Sequence, residues 1–151
     1  MLKPSEQLYL EDLHAGQRFE SGPHELSVEQ IKRFATEFDP QPFHTDEEAA
    51  KDSFFGSLAA SGWHTAAITM RLLTESVPIA GGLIGARTEV TWPRPTWPGS
   101  TLRVFSEIES VTPSRSKPDR GIVVMFSETR DQDAEVVQTL RVTMIAFKRP
   151  N

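Results

Sequence analysis

The sequence predicts an α+β domain in which one long apolar helix is wrapped by an antiparallel sheet. Three observations carry this expectation: a mostly apolar helical stretch from Gly62 to Val77, four strand-like segments after it, and helix-start signals on either side of a proline-braced loop. A helix apolar nearly all round has to be covered, and the short connections between the strands suit antiparallel neighbours. At 151 residues, 38% hydrophobic and 25% charged, the chain suits one globular domain over residues 1–151.

Residues 1 to 26 are polar, are broken by Gly16, Gly22 and Pro23, and read as an arm with one short strand around Arg18 to Glu20. Ser27-Val28-Glu29-Gln30 fits a capping box, after which Ile31, Phe34, Ala35 and Phe38 recur on one helical face. That helix stops before Pro40, because a residue preceding proline is pushed out of the α region. Thr45-Asp46-Glu47-Glu48 is a second capping box, which clamps the loop Asp39 to His44 between two helix ends. In the long helix, Trp63, Ala66, Ala67, Met70, Leu73 and Val77 mark one face and Ile68 and Leu72 another, until Pro78, Gly81 and Gly82 end it.

Strand formers follow. Ile84, Ala86, Thr88, Val90 and Trp92 alternate with Gly85, Arg87, Glu89 and Thr91, the period of a strand. Further strands are expected at about 101–111, 121–130 and 136–148, with Leu102, Val104 and Ile108 on one inner face and Leu140, Val142, Met144 and Ala146 on another. The prolines between Trp92 and Gly99 exclude a central strand there. Asp131 to Ala134 suits a hairpin turn, and Ser114 to Arg120 a longer polar loop.

A net charge of -5 argues against a general nucleic-acid binder, which needs a basic surface. The absence of cysteine excludes disulfides, thiolate metal sites and Cys nucleophiles, and is compatible with a reducing cytoplasm. The segment Met1 to Glu6 has no apolar leader core and no stretch reaches membrane-spanning length, so a soluble cytoplasmic protein without a membrane partner is expected.

The residues that can carry chemistry lie in Asp39-Pro40-Gln41-Pro42-Phe43-His44 and in Ala60-Ser61-Gly62. Histidine exchanges protons near neutral pH, and a nearby carboxylate can orient it or share a water with it. Two readings of Asp39 and His44 stand side by side: an acid-base pair, or a helix-end aspartate with a histidine making a local hydrogen bond. Gly62 opens the long helix, so its N–H can meet an incoming oxygen, or the glycine can serve only close packing. No G-x-S-x-G elbow surrounds Ser61, which suits a helix cap better than a nucleophile. His64 is expected as a buried, satisfied core residue and His14 and His24 as solvated. No two histidines have metal-ligand spacing, so no metal is expected. Arg115, Lys117 and Arg120 form a charged loop whose simplest reading is solvation.

These motifs resemble the MaoC-like dehydratase family, which includes the (R)-specific type-2 enoyl-CoA hydratases. Asp39 to His44 is similar to a D-x-N-P-x-H loop, Ala60-Ser61-Gly62 falls where that family has a small residue, a histidine and a glycine, and Pro98-Gly99-Ser100 matches a P-G-D turn. The stretch Gly121 to Val137 has the strand-turn-strand look of the same family. The resemblance implies a hotdog fold with a curved sheet, and a homodimer or an assembly of dimers acting on acyl-CoA in fatty acid metabolism. It implies hydration of a trans-2-enoyl-CoA to a 3-hydroxyacyl-CoA with no dissociable cofactor. Asp39 and His44 would activate water and exchange the proton at C2, Gln41 and Ser61 would stand at substrate-binding positions, and the Gly62 N–H would polarise the thioester carbonyl. Gln41 departs from the family's asparagine, Ser61 from its histidine and Ser100 from its aspartate. Hotdog thioesterases and non-catalytic acyl-thioester binding modules are the competing functions for such a chain.

Overall fold

The computed structural model describes residues 6–151; Met1 to Ser5 of the expected arm lie outside the described residues. In chain order the elements are β1 (Arg18–Glu20), β2 (His24–Glu25), α1 (Val28–Phe38), α2 (Pro42–Thr45), α3 (Glu47–Lys51), α4 (Gly62–Ser76), β3 (Ile84–Thr91), β4 (Thr101–Pro113), β5 (Arg120–Arg130) and β6 (Val136–Phe147). The strands form one antiparallel sheet in the order β1-β4-β5-β6-β3, and β2 also pairs with β4. Register shifts between Ile108 and Ser110, Thr129 and Arg130, and Gly85 and Arg87 mark bulges, which bend strands and increase their twist. This is the hotdog arrangement of one helix held in one sheet.

Alternating burial along β4, β5 and β6 shows which face meets α4. Leu102, Val104, Ile108, Val123, Met125, Val142, Met144 and Ala146 point into the core, together with Ile68, Leu72, Leu73 and Val77 from α4 and its C-terminal end. Each large side chain so buried contributes roughly 1.5–3 kcal/mol of transfer free energy. The hairpin between β5 and β6 turns on Asp131, whose carboxylate accepts the N–H groups of Asp133 and Glu135, while Ala134 takes a φ of 62°. At the Pro98-Gly99-Ser100 turn, Gly99 has a φ of 84°, its N–H donates to Leu26 O at 2.7 Å, and Ser100 O accepts from Leu26 N at 2.9 Å.

Four expectations are corrected. The arm is packed: Leu10, Leu13 and Leu26 are core residues, and Leu10 sits so close to β5 that a side chain at Gly121 would meet its Cδ2 at 2.8 Å. Local polarity concealed three well-spaced leucines. The loop Asp39–His44 is half helical, since Pro42 opens the α2 turn; the cap of α3 is Asp46, whose Oδ1 accepts from Glu48 N and Ala49 N, and Thr45 belongs to α2. The α4 face carrying Trp63, Ala67 and Met70 is exposed, Trp63 at 61%, whereas the inward face carries His64, Thr65 and Thr69 beside the aliphatics. Finally, the bulge in β3 breaks its expected alternation, and most of that edge strand is exposed on both faces.

Candidate active site

The C-terminus of α1 and the start of α4 converge on His44. Asp39 is the C-cap of α1, its N–H donating to Ala35 O at 2.8 Å, and the following Pro40 forces the chain out of the helix. Two residues later Pro42, at the first position of α2, restarts a single turn that lifts His44 back towards Asp39. The segment leading into α4 fixes that turn from below: Ala59 N donates to Phe43 O at 3.1 Å, and His44 Nδ1–H donates to Ala59 O at 2.6 Å. Phe43 meets the imidazole edge-on with ring centroids 4.6 Å apart.

The bond to Ala59 decides the tautomer. A carbonyl only accepts, so Nδ1 carries the proton, and the neutral ring presents the Nε2 lone pair. That nitrogen lies 3.5 Å from Asp39 Oδ2, with side-chain exposures of 6% for His44 and 16% for Asp39. Two acceptors therefore face each other, an arrangement stabilised by a donor that bridges them or by a proton on one of them.

Asp39 is held ionised. Burial opposes its charge, but a hydrogen bond from Ser61, another from Gln41 and the positive charge His44 carries when protonated outweigh that and bring its pKa below the ordinary carboxylate value. The Gln41 amide donates to Asp39 Oδ1 at 2.6 Å. Ser61 is fully buried and caps α4, its Oγ accepting from Trp63 N at 3.2 Å while its hydroxyl faces Asp39. Gln41 and Ser61 thus both act on the carboxylate.

A cavity of about 450 Å³ opens beside His44, lined by His44, Phe55, Gly62, Thr65, Trp92 and Thr96 among others. Of the five residues singled out in the sequence, His44 and Gly62 line it; Asp39, Gln41 and Ser61 are grouped around His44 outside the lining. The Gly62 N–H has no hydrogen-bond acceptor among the described residues, as befits the first residue of a helix. A Cβ on Gly62 would come within 2.7 Å of Trp92 Cε2, so the indole occupies the space a side chain would need. Trp92 is the residue that sequence reasoning missed here; its place in a Pro-rich stretch gave no sign that it folds back over α4.

The other histidines fall elsewhere. His14 is exposed, whereas His24 is half-buried in a groove with His64 between α1 and α4. His64 is buried as expected but not satisfied: its ring stacks on Phe34 at 4.5 Å and its Nδ1 has no partner. Burial, aided by the positive charges of His24 and Arg33, pushes its pKa down from 6.5 to about 4. Between those values the unfolded chain binds the extra proton, so this residue removes stability as pH falls from 6.5 towards 4. The full effect is about 3 kcal/mol. His64→Phe keeps the stack and is expected to flatten the pH dependence of urea denaturation across that window; an unaltered slope would refute the assignment. In the charged loop, Arg120 is bound to Asp119 at 2.9 Å and covers Phe147.

Comparison with known proteins gives a consistent answer. A profile of the MaoC like domain matches residues 12–127. The uncharacterized protein YdeM of Bacillus subtilis is 35% identical over 126 residues, which cover 82% of this chain and 87% of YdeM. Mesaconyl-CoA hydratase of Haloarcula marismortui is 27% identical over 111 residues, 72% of this chain but 31% of that longer protein. The crystal structure of a MaoC-like dehydratase from Rhodospirillum rubrum aligns with a TM-score of 0.93 at 56% identity, covering 95% of this chain and 99% of that one.

Proposed function

Since the chain belongs to the MaoC-like dehydratase family, we propose that it is a hydro-lyase that reversibly hydrates a trans-2-enoyl-CoA, or a related acyl thioester, to the 3-hydroxyacyl thioester. One observation carries this reading: a carboxylate and an imidazole lone pair face each other at 3.5 Å, next to a cavity with an unpaired helix-start N–H. A water donating to both acceptors satisfies them and becomes the nucleophile. Its oxygen bonds to C3 as its proton passes to the pair, the C2–C3 double bond is lost, and the pair returns a proton to C2. Negative charge growing on the thioester oxygen is met by the Gly62 N–H at the positive end of α4. Because Asp39 and His44 share that water, their titrations belong to the pair.

The substrate in this proposal is an acyl-CoA, no dissociable cofactor takes part, and the reaction proceeds in the cytoplasm. No helix among the described residues is long and apolar enough to cross a membrane. A homodimer is the proposed working form. Edge strand β3 has one side unpaired among the described residues, and the exposed Trp63–Met70 face of α4 supplies an apolar surface for a second copy. The test is loss of enoyl absorbance from crotonyl-CoA without release of free thiol, on protein whose mass is measured by sedimentation. Thiol release at constant enoyl absorbance would replace hydration by thioester hydrolysis, and a monomer of full activity would remove the dimer.

A further inference from the structure

Trp92, half-exposed, is held by a chain of hydrogen bonds that becomes buried as it passes from β6 through α4 to β5. Its Nε1–H donates to Gln138 Oε1 at 2.9 Å, and the Gln138 amide donates to Thr69 Oγ1 at 3.0 Å. Thr69 sends its own proton to Thr65 O at 2.9 Å, so Thr129, at 2.6 Å, is the donor in the contact between the two threonine hydroxyls. Gln138 is fully buried in β6, with a partner at each end of its amide. A leucine of similar size would fill that place without any need for polar partners. The amide instead fixes the height and tilt of one ring, because a released indole would leave its oxygen buried and unpaired.

That ring has a defined task in the cavity. Three of its atoms stand 2.7–3.0 Å from where a Gly62 Cβ would be, which leaves no gap between indole and helix start. Trp63 backs it edge-on, with centroids 5.2 Å apart, and Trp92 shares the lining of the cavity with His44. We propose that Trp92 is a specificity-determining residue that confines the acyl group beside Gly62 to short chains, and that Gln138 is the positioning residue holding the indole in place. The inference rests on the thioester reading of the site.

The experiment compares kcat/KM for four-carbon and eight-carbon trans-2-enoyl-CoA in the wild type, Trp92→Ala, Trp92→Phe, Gln138→Leu and the Trp92→Phe/Gln138→Leu double variant. Trp92→Ala is expected to raise the long-to-short ratio roughly tenfold or more, the scale on which pocket shape discriminates alkyl groups. Gln138→Leu should move the ratio the same way by a smaller factor, and should add nothing once Trp92→Phe has removed the hydrogen bond. A purely structural role would lower both substrates alike. An unchanged ratio in folded Trp92→Ala overturns the proposal; if that variant does not fold, an unchanged ratio in Gln138→Leu does so. Should the wild type hydrate neither substrate, calorimetric binding of butyryl-CoA and octanoyl-CoA provides the same ratio. A shift there would uphold the wall while hydration falls, and an unshifted ratio or no binding of either thioester would overturn it.

Discussion

Asp39→Asn is expected to lower the turnover of an enoyl-CoA about 10²–10⁴-fold, the usual contribution of a positioned acid-base group, while leaving the protein folded. The substitution keeps the shape of the side chain at the end of α1 but changes what it offers His44. An amide N–H pointed at the Nε2 lone pair would bond to it directly across the present 3.5 Å separation, taking the place of the proposed water. The variant should therefore melt close to the wild type and be catalytically silent. His44→Ala should also be silent, with a larger loss of stability, because it removes the donor to Ala59 O and leaves that buried carbonyl unpaired. Turnover of crotonyl-CoA followed by absorbance, with thermal melts alongside, checks both; near-normal rates in the two variants would remove the acid-base pair.

Gly62→Ala is the second substitution with a large expected effect. Its methyl group would lie 2.7 Å from an indole carbon of Trp92, and forced contacts of this kind cost about 1–3 kcal/mol. Relief requires the helix start to move, which displaces the N–H proposed to receive the thioester oxygen; loss of such a donor typically lowers turnover ~10²–10³-fold. The Cβ direction points at Trp92, so the absence of a side chain serves the indole, separately from the role proposed for the N–H. Gly62→Ala combined with Trp92→Ala should accordingly regain the stability and turnover of Trp92→Ala alone. Persistent inactivity of the double variant would mean that the methyl obstructs the thioester itself.

Much of this fold was legible because its strongest signals are local. The Ser27 capping box, Pro40, the glycines after α4 and the alternation in β4, β5 and β6 each act within a few residues, and the elements begin and end where those signals fall. Asp39 and His44 were legible as a pair for the same reason, since two prolines fix the short path between them. What remained hidden depends on distant partners. The threonines on the inward face of α4 are accommodated by Thr96, Thr129 and Gln138, none of which is near in sequence. Hydropathy marked Trp63, Ala67 and Met70 as core because it registers the need for cover and not who provides it. His64 was expected to find a hydrogen bond, and the stack on Phe34 leaves its Nδ1 without one.

The chain order of the elements has a consequence during synthesis. α4 ends at Ser76, whereas the sheet that covers it is complete only when β6 reaches Phe147. At ~5–20 residues per second, a ribosome takes on the order of several seconds to deliver the intervening segment. Throughout that interval the native cover of Ile68, Leu72 and Leu73 is incomplete: α1 and then β4 are available to pack on α4 before the hairpin of β5 and β6 closes the sheet.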